Sequence, residues 1–291
     1  MVPSPDLEPV LLCRIPSRQL ERAGDENGQN RAERAAGGEA DPTVSSADTE
    51  SRQESPNLGR LLARIDERTA TVAIVGQGYV GLPVAMRCVE AGFAVVGYEV
   101  DSRRVAMLHD GDSYVGDVPS EQLAAALERG YRATDQVGDL AGFDIAVISV
   151  PTPLAEGVPD LSFVESASHA LARVLRAGSV VILESTTYPG TTEELVRPIL
   201  EASGLRAGTD FFLGYSPERI DPGNARFGFD NTPKVVSGVC GDSLRAVDAF
   251  YSAIVDKTVP VGSTREAELV KLLEIVKAVR IDCQAIILRQ P

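Results

Sequence analysis

Cysteine and histidine are scarce in this 291-residue chain, which has four of the first and two of the second. Cys13, Cys88, Cys240 and Cys283 lie far apart and never form a Cys-x-x-Cys pair, which argues against a disulfide framework and against a zinc site. His109 and His169 have no cysteine or acidic cluster at ligand spacing around them, so neither a metal site nor a histidine-based triad is expected. His169 stands beside the apolar stripe Phe163, Val164, Ala167, Ala170, Leu171 and Val174 and reads as an exposed helical residue. Positive charge is in deficit: 28 Lys and Arg face 42 Asp and Glu, for a net charge of −14. A chain this acidic is repelled by a phosphate backbone and by an anionic bilayer, so nucleic acid and membrane are not expected partners. Long apolar runs are missing too. None approaches the roughly 18 to 20 residues of a membrane span, and the opening MVPSPDLEP has no basic n-region, so the expected compartment is the cytosol.

What remains is the composition of an ordinary globular protein, 44% apolar and 24% charged, long enough for about two domains. Residues 1–57 mix Pro, Gly, Ser, Gln and charge with little apolar clustering, and they read as a disordered extension. Leu58, Leu61, Leu62 and Ile65 then repeat at helical spacing. From Thr71 onward short β-rich runs alternate with helical ones. Strands are expected at 71–75, 94–99, 131–134, 144–149, 179–183 and 211–215, and helices at 79–91, 102–109, 120–129, 161–175 and 191–202. Runs apolar on both faces and separated by helices predict a doubly wound α/β domain around a parallel sheet. Short strands at 234–238 and 258–261 flank a helix at 241–255, and another helix begins near Ser263. The division expected is an extension 1–57, an α/β domain 58–262, and a helix with a divergent tail 263–291.

Directly after the first strand stands Gly76-Gln77-Gly78-Tyr79-Val80-Gly81, running into a helix. Three glycines at this spacing are a weak signal alone, but strand, turn and helix in sequence are the context of a dinucleotide fingerprint, the Rossmann arrangement. Gly76 permits the tight turn, Gly78 lets backbone approach a pyrophosphate at the helix N-terminus, and Gly81 lets helix and strand pack closely. Tyr79 and Val80 complete the turn. Glu99 ends the second strand 23 residues after Gly76, where an acid holds the adenosine ribose and repels a 2′-phosphate, favouring NAD over NADP. Arg103 and Arg104 lie close enough to modulate that preference. Later strands end in Val150-Pro151-Thr152-Pro153, in Glu184-Ser185-Thr186-Thr187-Tyr188-Pro189-Gly190 and in Ser216-Pro217-Glu218-Arg219. Hydroxyls, a carboxylate and a guanidinium on one sheet edge suit a polar, sugar-like or phosphorylated ligand beside the cofactor.

The segments GQGYVGLP (76–83), VPTPL (150–154), ESTTYPGTT (184–192), YSPERIDPGN (215–224), PKVVSG (233–238) and AELVKLLE (267–274) together resemble the UDP-glucose/GDP-mannose dehydrogenase family. The wording STTYPG and SPERIDPGN is most similar to its UDP-N-acetylhexosamine branch. The resemblance covers about residues 58–274, the N-terminal half of such an enzyme. It implies NAD-dependent oxidation of the C6 alcohol of a UDP-sugar to a carboxylate, through an aldehyde and a cysteine thioester. By motif it implies Thr152 and Thr186 beside the nicotinamide, with Thr186 also ordering a water. It implies Glu218 for proton transfer and hydrolysis, Lys271 on the C6 oxygen, and Arg219 on the substrate. Arg104 falls among the residues expected to touch the cofactor. After Glu274 the sequence departs. Ile275 stands where the family has Asn, and the Gly-Gly-His-Cys nucleophile segment and second Rossmann-like domain have no counterpart. Cys283 lies outside any such motif. The family is homo-oligomeric through a long helix that is expected to be cut short here. The expectation is an NAD-binding half whose oxidation is incomplete without the missing cysteine and C-terminal domain, or a non-catalytic remnant or half of a split enzyme. A β-hydroxyacid dehydrogenase is disfavoured by VPTPL and SPERIDPGN.

Overall fold

The apolar runs at the sheet centre alternate their side chains between two separate cores. In the computed structural model the described residues are 55–155, 158–218 and 232–274, all within the unit spanning 52–291. Val72 and Ile74 of β1 (Thr71–Val75) enter one core and Ala73 and Val75 the other. The same alternation divides β4 (Ile145–Ile148), β7 (Val180–Leu183) and β8 (Phe212–Tyr215), each buried along its whole length. A strand buried on both faces needs apolar residues at every position, which is why these segments lack a polar face.

Helices α1 (Pro56–Asp66), α2 (Gly81–Glu90), α3 (Ser102–His109), α4 (Ser120–Glu128) and α7 (Gly241–Ser252) bury residues in the first core. Helices α5 (Ser162–Ala172) and α6 (Arg197–Glu201), with Ala267 of α8 (264–274), close the second. With β2 (Ala94–Tyr98), β3 (Tyr131–Thr134), β9 (Lys234–Gly238) and β10 (Thr258–Pro260), the strands order as β10-β9-β8-β7-β4-β1-β2-β3. The chain winds outward from β1 to β3, then returns to the other side of β1 as β4. That reversal opens a crevice at the carboxyl ends of β1 and β4, where ligands of such sheets bind.

The sequence reading of a doubly wound α/β domain is borne out, with differences in detail. The two late strands join the same sheet, and β9 runs antiparallel to β8. Gly214 permits that pairing, since a Cβ there would lie 2.2 Å from the Ser237 carbonyl oxygen. The helix expected at 191–202 divides into a wide π-type turn, Thr192–Val196, followed by α6. Pro198 has no N–H to donate back into the preceding turn, so an uninterrupted α ladder cannot form across it. The VPTPL loop forms a short antiparallel pair, β5 (Leu154–Ala155) with β6 (Val158–Pro159). The expected extension is outside the described residues up to position 54, and so is the tail beyond 274.

Among the described glycines, the closest approach lies at the first turn. A Cβ on Gly81 would sit 1.8 Å from the Gly76 carbonyl oxygen and 2.4 Å from Ser149 Oγ. The first clash is with backbone and cannot be relieved by rotating a side chain. Gly81→Ala is expected to lower unfolding stability by about 3 kcal/mol or more, read by denaturant titration. An exposed control, Gly138→Ala, meets nothing within 4 Å and should change it far less.

Candidate active site

A cleft of about 430 Å³ opens at the β1/β4 crossover. Gly76, Gly78, Tyr79 and Val80 line it from the first turn, Glu99 and Arg104 from the end of β2 and from α3, and Thr152, Glu184, Thr186 and Glu218 from the later strand ends. Of the residues singled out in the sequence, Gly81 and Lys271 stand behind this surface, and Arg219 lies outside the described residues. Gly76 has a left-handed φ of 94°, which glycine adopts without strain, and its N–H donates to Tyr98 O at 2.8 Å. A Cβ on Gly78 would meet no protein atom within 4 Å and would occupy the cleft instead. The backbone is therefore bare where a ligand's phosphates would approach the α2 N-terminus, and the residues present fit a dinucleotide.

Gln77, an unspecified position in the glycine motif, anchors the turn. It is fully buried, and its Nε2 donates to Ile74 O at 2.8 Å while its Oε1 accepts from Tyr131 Oη at 2.7 Å. Tyr114 Oη donates to the Gln77 carbonyl at 2.7 Å. Burial and the Glu99 charge push the Tyr114 phenol up to about 12, so it remains a donor at neutral pH. Gly97 on β2 makes room for the amide, because a Cβ there would lie 2.6 Å from Gln77 Cδ.

Glu99 Oε2 accepts from the Gln77 N–H at 3.3 Å and Oε1 from the Asp101 N–H at 3.1 Å. The two nearby arginines part company. Arg103 is held by Asp101 at 2.9 Å, whereas Arg104 lies 3.7 Å from Glu99 and 5.2 Å above the Tyr114 ring. The hydrogen bonds from Arg103 to Asp101 hold its half-buried carboxyl below the usual range.

The opposite wall is built from hydroxyls and buried charge. Thr152 Oγ1 donates to Thr186 O at 2.8 Å, and Ser185 Oγ donates to Val150 O at 2.7 Å, so the loops after β4 and β7 are tied together. Behind them Lys234, 3% exposed, donates to Glu184 Oε1 and, at 2.9 Å, to Glu218 Oε2. Its ammonium also lies 5.0 Å from the centre of the Tyr251 ring. Burial favours the neutral amine, but the two carboxylates hold Lys234 above the usual lysine range. Lys271 Nζ donates to the Glu218 carbonyl oxygen. Its helix is fastened by Glu268, which accepts from Thr192 N at 2.9 Å and Thr192 Oγ1 at 2.7 Å, and also from Gly190 N. Lys234, Gln77 and Glu268 went unassigned in the sequence reading. Lys234 sits within PKVVSG and Glu268 within AELVKLLE, so the only sequence signal was membership in a motif.

Among the described residues, neither histidine and neither Cys88 nor Cys240 lines this wall. His109 Nε2 bonds Ala133 O at 2.8 Å and His169 is exposed on α5. Cys88 is buried and its thiol is pushed up by that burial, while Cys240 caps α7 by accepting from Ser243 N at 3.4 Å. Among the described residues no group of three or more His, Cys, Asp or Glu could hold a metal, and no helix is long and apolar enough to cross a membrane.

Burial raises the Glu184 carboxyl, Lys234 pulls it back and the Glu218 charge raises it again, leaving it at about 7 against an ordinary value near 4.5. Between those values the folded protein holds a proton that the unfolded chain has released. Stability therefore falls as pH rises from 4.5 to 7, by no more than about 1.4 kcal/mol per pH unit from this group. Thermal unfolding across that range should show the decline in the native protein and a shallower one in Glu184→Gln.

Comparison with known proteins agrees with this geometry. Residues 70–255 match the model of the UDP-glucose/GDP-mannose dehydrogenase family, NAD binding domain. A UDP-N-acetyl-D-glucosamine 6-dehydrogenase of Pseudomonas aeruginosa is 40% identical over 212 residues, covering 72% of this chain and 48% of that protein. A UDP-N-acetyl-D-mannosamine dehydrogenase of Pyrococcus horikoshii is 34% identical over 205 residues, covering 70% of this chain and 49% of the relative. The solved structure of the Pyrococcus horikoshii UDP-D-ManNAc dehydrogenase superimposes with a TM-score of 0.67 over 70% of this chain and 49% of that one. An NDP-N-acetyl-D-galactosaminuronic acid dehydrogenase from Methanosarcina mazei, 28% identical, gives 0.69 over 76% and 50%. The chain thus spans about half the length of the curated relatives it matches. It belongs to the UDP-glucose/GDP-mannose dehydrogenase family and carries that family's NAD-binding domain.

Proposed function

We propose that this chain is the cofactor half of a dehydrogenase that oxidises the C6 alcohol of a UDP-N-acetylhexosamine. The observation that carries the reading is the meeting of two walls in one cleft: the glycine turn with Glu99 on one side, and Thr152, Thr186, Glu184 and Glu218 on the other. The ADP half of NAD lies on the first wall, with its pyrophosphate at Gly76, Gly78 and the α2 N-terminus beside Tyr79 and Val80. Gly81 contributes by letting α2 pack against that turn. Glu99 accepts from the ribose hydroxyls. Arg104 offers a 2′-phosphate little, because it already faces Glu99 and Tyr114. Bound NAD supplies the hydride acceptor.

On the second wall Thr152 and Thr186 flank the nicotinamide, and Glu218 takes the proton of the C6 alcohol. Lys271 brings an ammonium to the same residue, suited to an oxygen that gains negative charge in a site shielded from water. Arg219, adjoining Glu218, is assigned to the sugar nucleotide. The Gly-Gly-His-Cys nucleophile expected for the second oxidation has no counterpart in these 291 residues. Half the length of the matched relatives is likewise unaccounted for, so the four-electron reaction requires a segment beyond this chain.

Isothermal titration tests the cofactor assignment. NAD should bind at least about tenfold more tightly than NADP, since a charged ribose hydrogen bond contributes about 1.5–3 kcal/mol and tenfold is 1.4. Glu99→Ala should lose most of that preference, and equal or tighter NADP binding by the native protein would overturn the ribose assignment. Incubation of the chain with NAD and UDP-N-acetylglucosamine should yield no uronic acid by mass spectrometry. A uronic acid product would show that the nucleophile function resides within these residues.

A further inference from the structure

The nicotinamide ring of NAD differs from that of its reduced form by one positive charge, and the far wall of the cleft holds a group that can change its own charge near neutrality. Glu184 is 1% exposed yet lines the cleft. Lys234 binds one of its oxygens, and the other, Oε2, is buried without a hydrogen-bond donor. The charge of the neighbouring Glu218 carboxylate raises the Glu184 carboxyl further. A buried carboxylate oxygen lacking a donor is costly, and a cationic ring or an amide donor in the adjoining cleft would relieve that cost.

We infer that Glu184 is a cofactor-binding residue that reads the charge of the nicotinamide ring, with Lys234 as the residue that positions it beside Glu218. This rests on the cofactor orientation proposed above, with the nicotinamide toward the loops after β4 and β7. With Glu184 ionised the wall carries one more negative charge and favours the oxidised ring. With Glu184 protonated that advantage is lost. Glu218 faces Glu184 as well, and Cys88, Tyr215, Tyr251 and Lys234 surround the pair. Burial pushes the Cys88 thiol and the Tyr215 and Tyr251 phenols upward, while the two carboxylates keep Lys234 an ammonium. Lys271 is one residue further away, on the Glu218 carbonyl.

Dissociation constants for NAD, NADH and ADP-ribose, measured on the full chain at pH 6 and pH 8.5, test the inference. In the native protein the affinity for NAD relative to NADH should rise about tenfold between the two, the effect of one added charge within several ångströms in a partly buried site. Burial places the Glu184 transition at about 7, between those conditions. Glu184→Gln should hold the ratio at its low-pH value throughout, and ADP-ribose, which lacks the ring, should bind alike in both proteins. The native titration needs no variant, so the test survives if the substitution impairs folding. A ratio that is flat in the native protein, while Glu99→Ala still weakens ADP-ribose, overturns the role of Glu184 and leaves the orientation standing. ADP-ribose binding indifferent to Glu99→Ala overturns the orientation, and the inference with it.

Discussion

The whole arrangement depends on how closely β1, α2 and β4 approach one another. Backbone at Gly76, side chain at Ser149 and the start of α2 at Gly81 share a space with no room for a methyl group. That contact brings the α2 N-terminus to the crossover point of the sheet, beside the cleft lined by Gly76 and Gly78. It also explains why Gln77 is buried. A turn this tight leaves polar backbone inside, and the Gln77 side chain satisfies Ile74 O while the two tyrosines satisfy Gln77 itself. Rigidity at the glycine turn is thus largely a packing property, produced by small residues and closed by hydrogen bonds from the tyrosines and to Glu99.

The opposite wall follows a different logic. Glu184, Lys234 and Glu218 are charged groups taken almost wholly out of water, and the cost of desolvating them offsets much of their mutual attraction. Three apolar residues of similar volume would hold β7 to β9 about as well, so stability alone does not account for the triad. Its position does: each carboxylate lines the cleft, and the ammonium between them offsets part of their mutual repulsion. Glu268 performs a related task one layer further back. By capping the turn at 190–192 it fixes α8, and with it Lys271, against Glu218.

Local signals made much of this legible from sequence. The strand runs, the glycine turn and Glu99 are each set by residues within a few positions of one another, and all lie where the periodicity places them. The missing parts are long-range. Lys234 meets Glu184 across 50 residues and Glu268 meets Thr192 across 76, and nothing in either segment encodes the partner. Gln77 was unreadable for another reason: a glutamine in a turn is ordinarily exposed, and only the glycine across from it on β2 admits it to the interior. The antiparallel turn of β9 likewise depends on Gly214, whose strand context reads no differently from that of its apolar neighbours.

The orientation of the dinucleotide is the claim on which the functional account rests, and a crystal structure of the chain with NAD tests it most directly. In that crystal the adenosine ribose hydroxyls should lie on Glu99, the pyrophosphate against the bare backbone at Gly78, and the nicotinamide ring between Thr186 and Glu184. A dinucleotide bound in the reverse sense, or seated away from the crossover between β1 and β4, would contradict it.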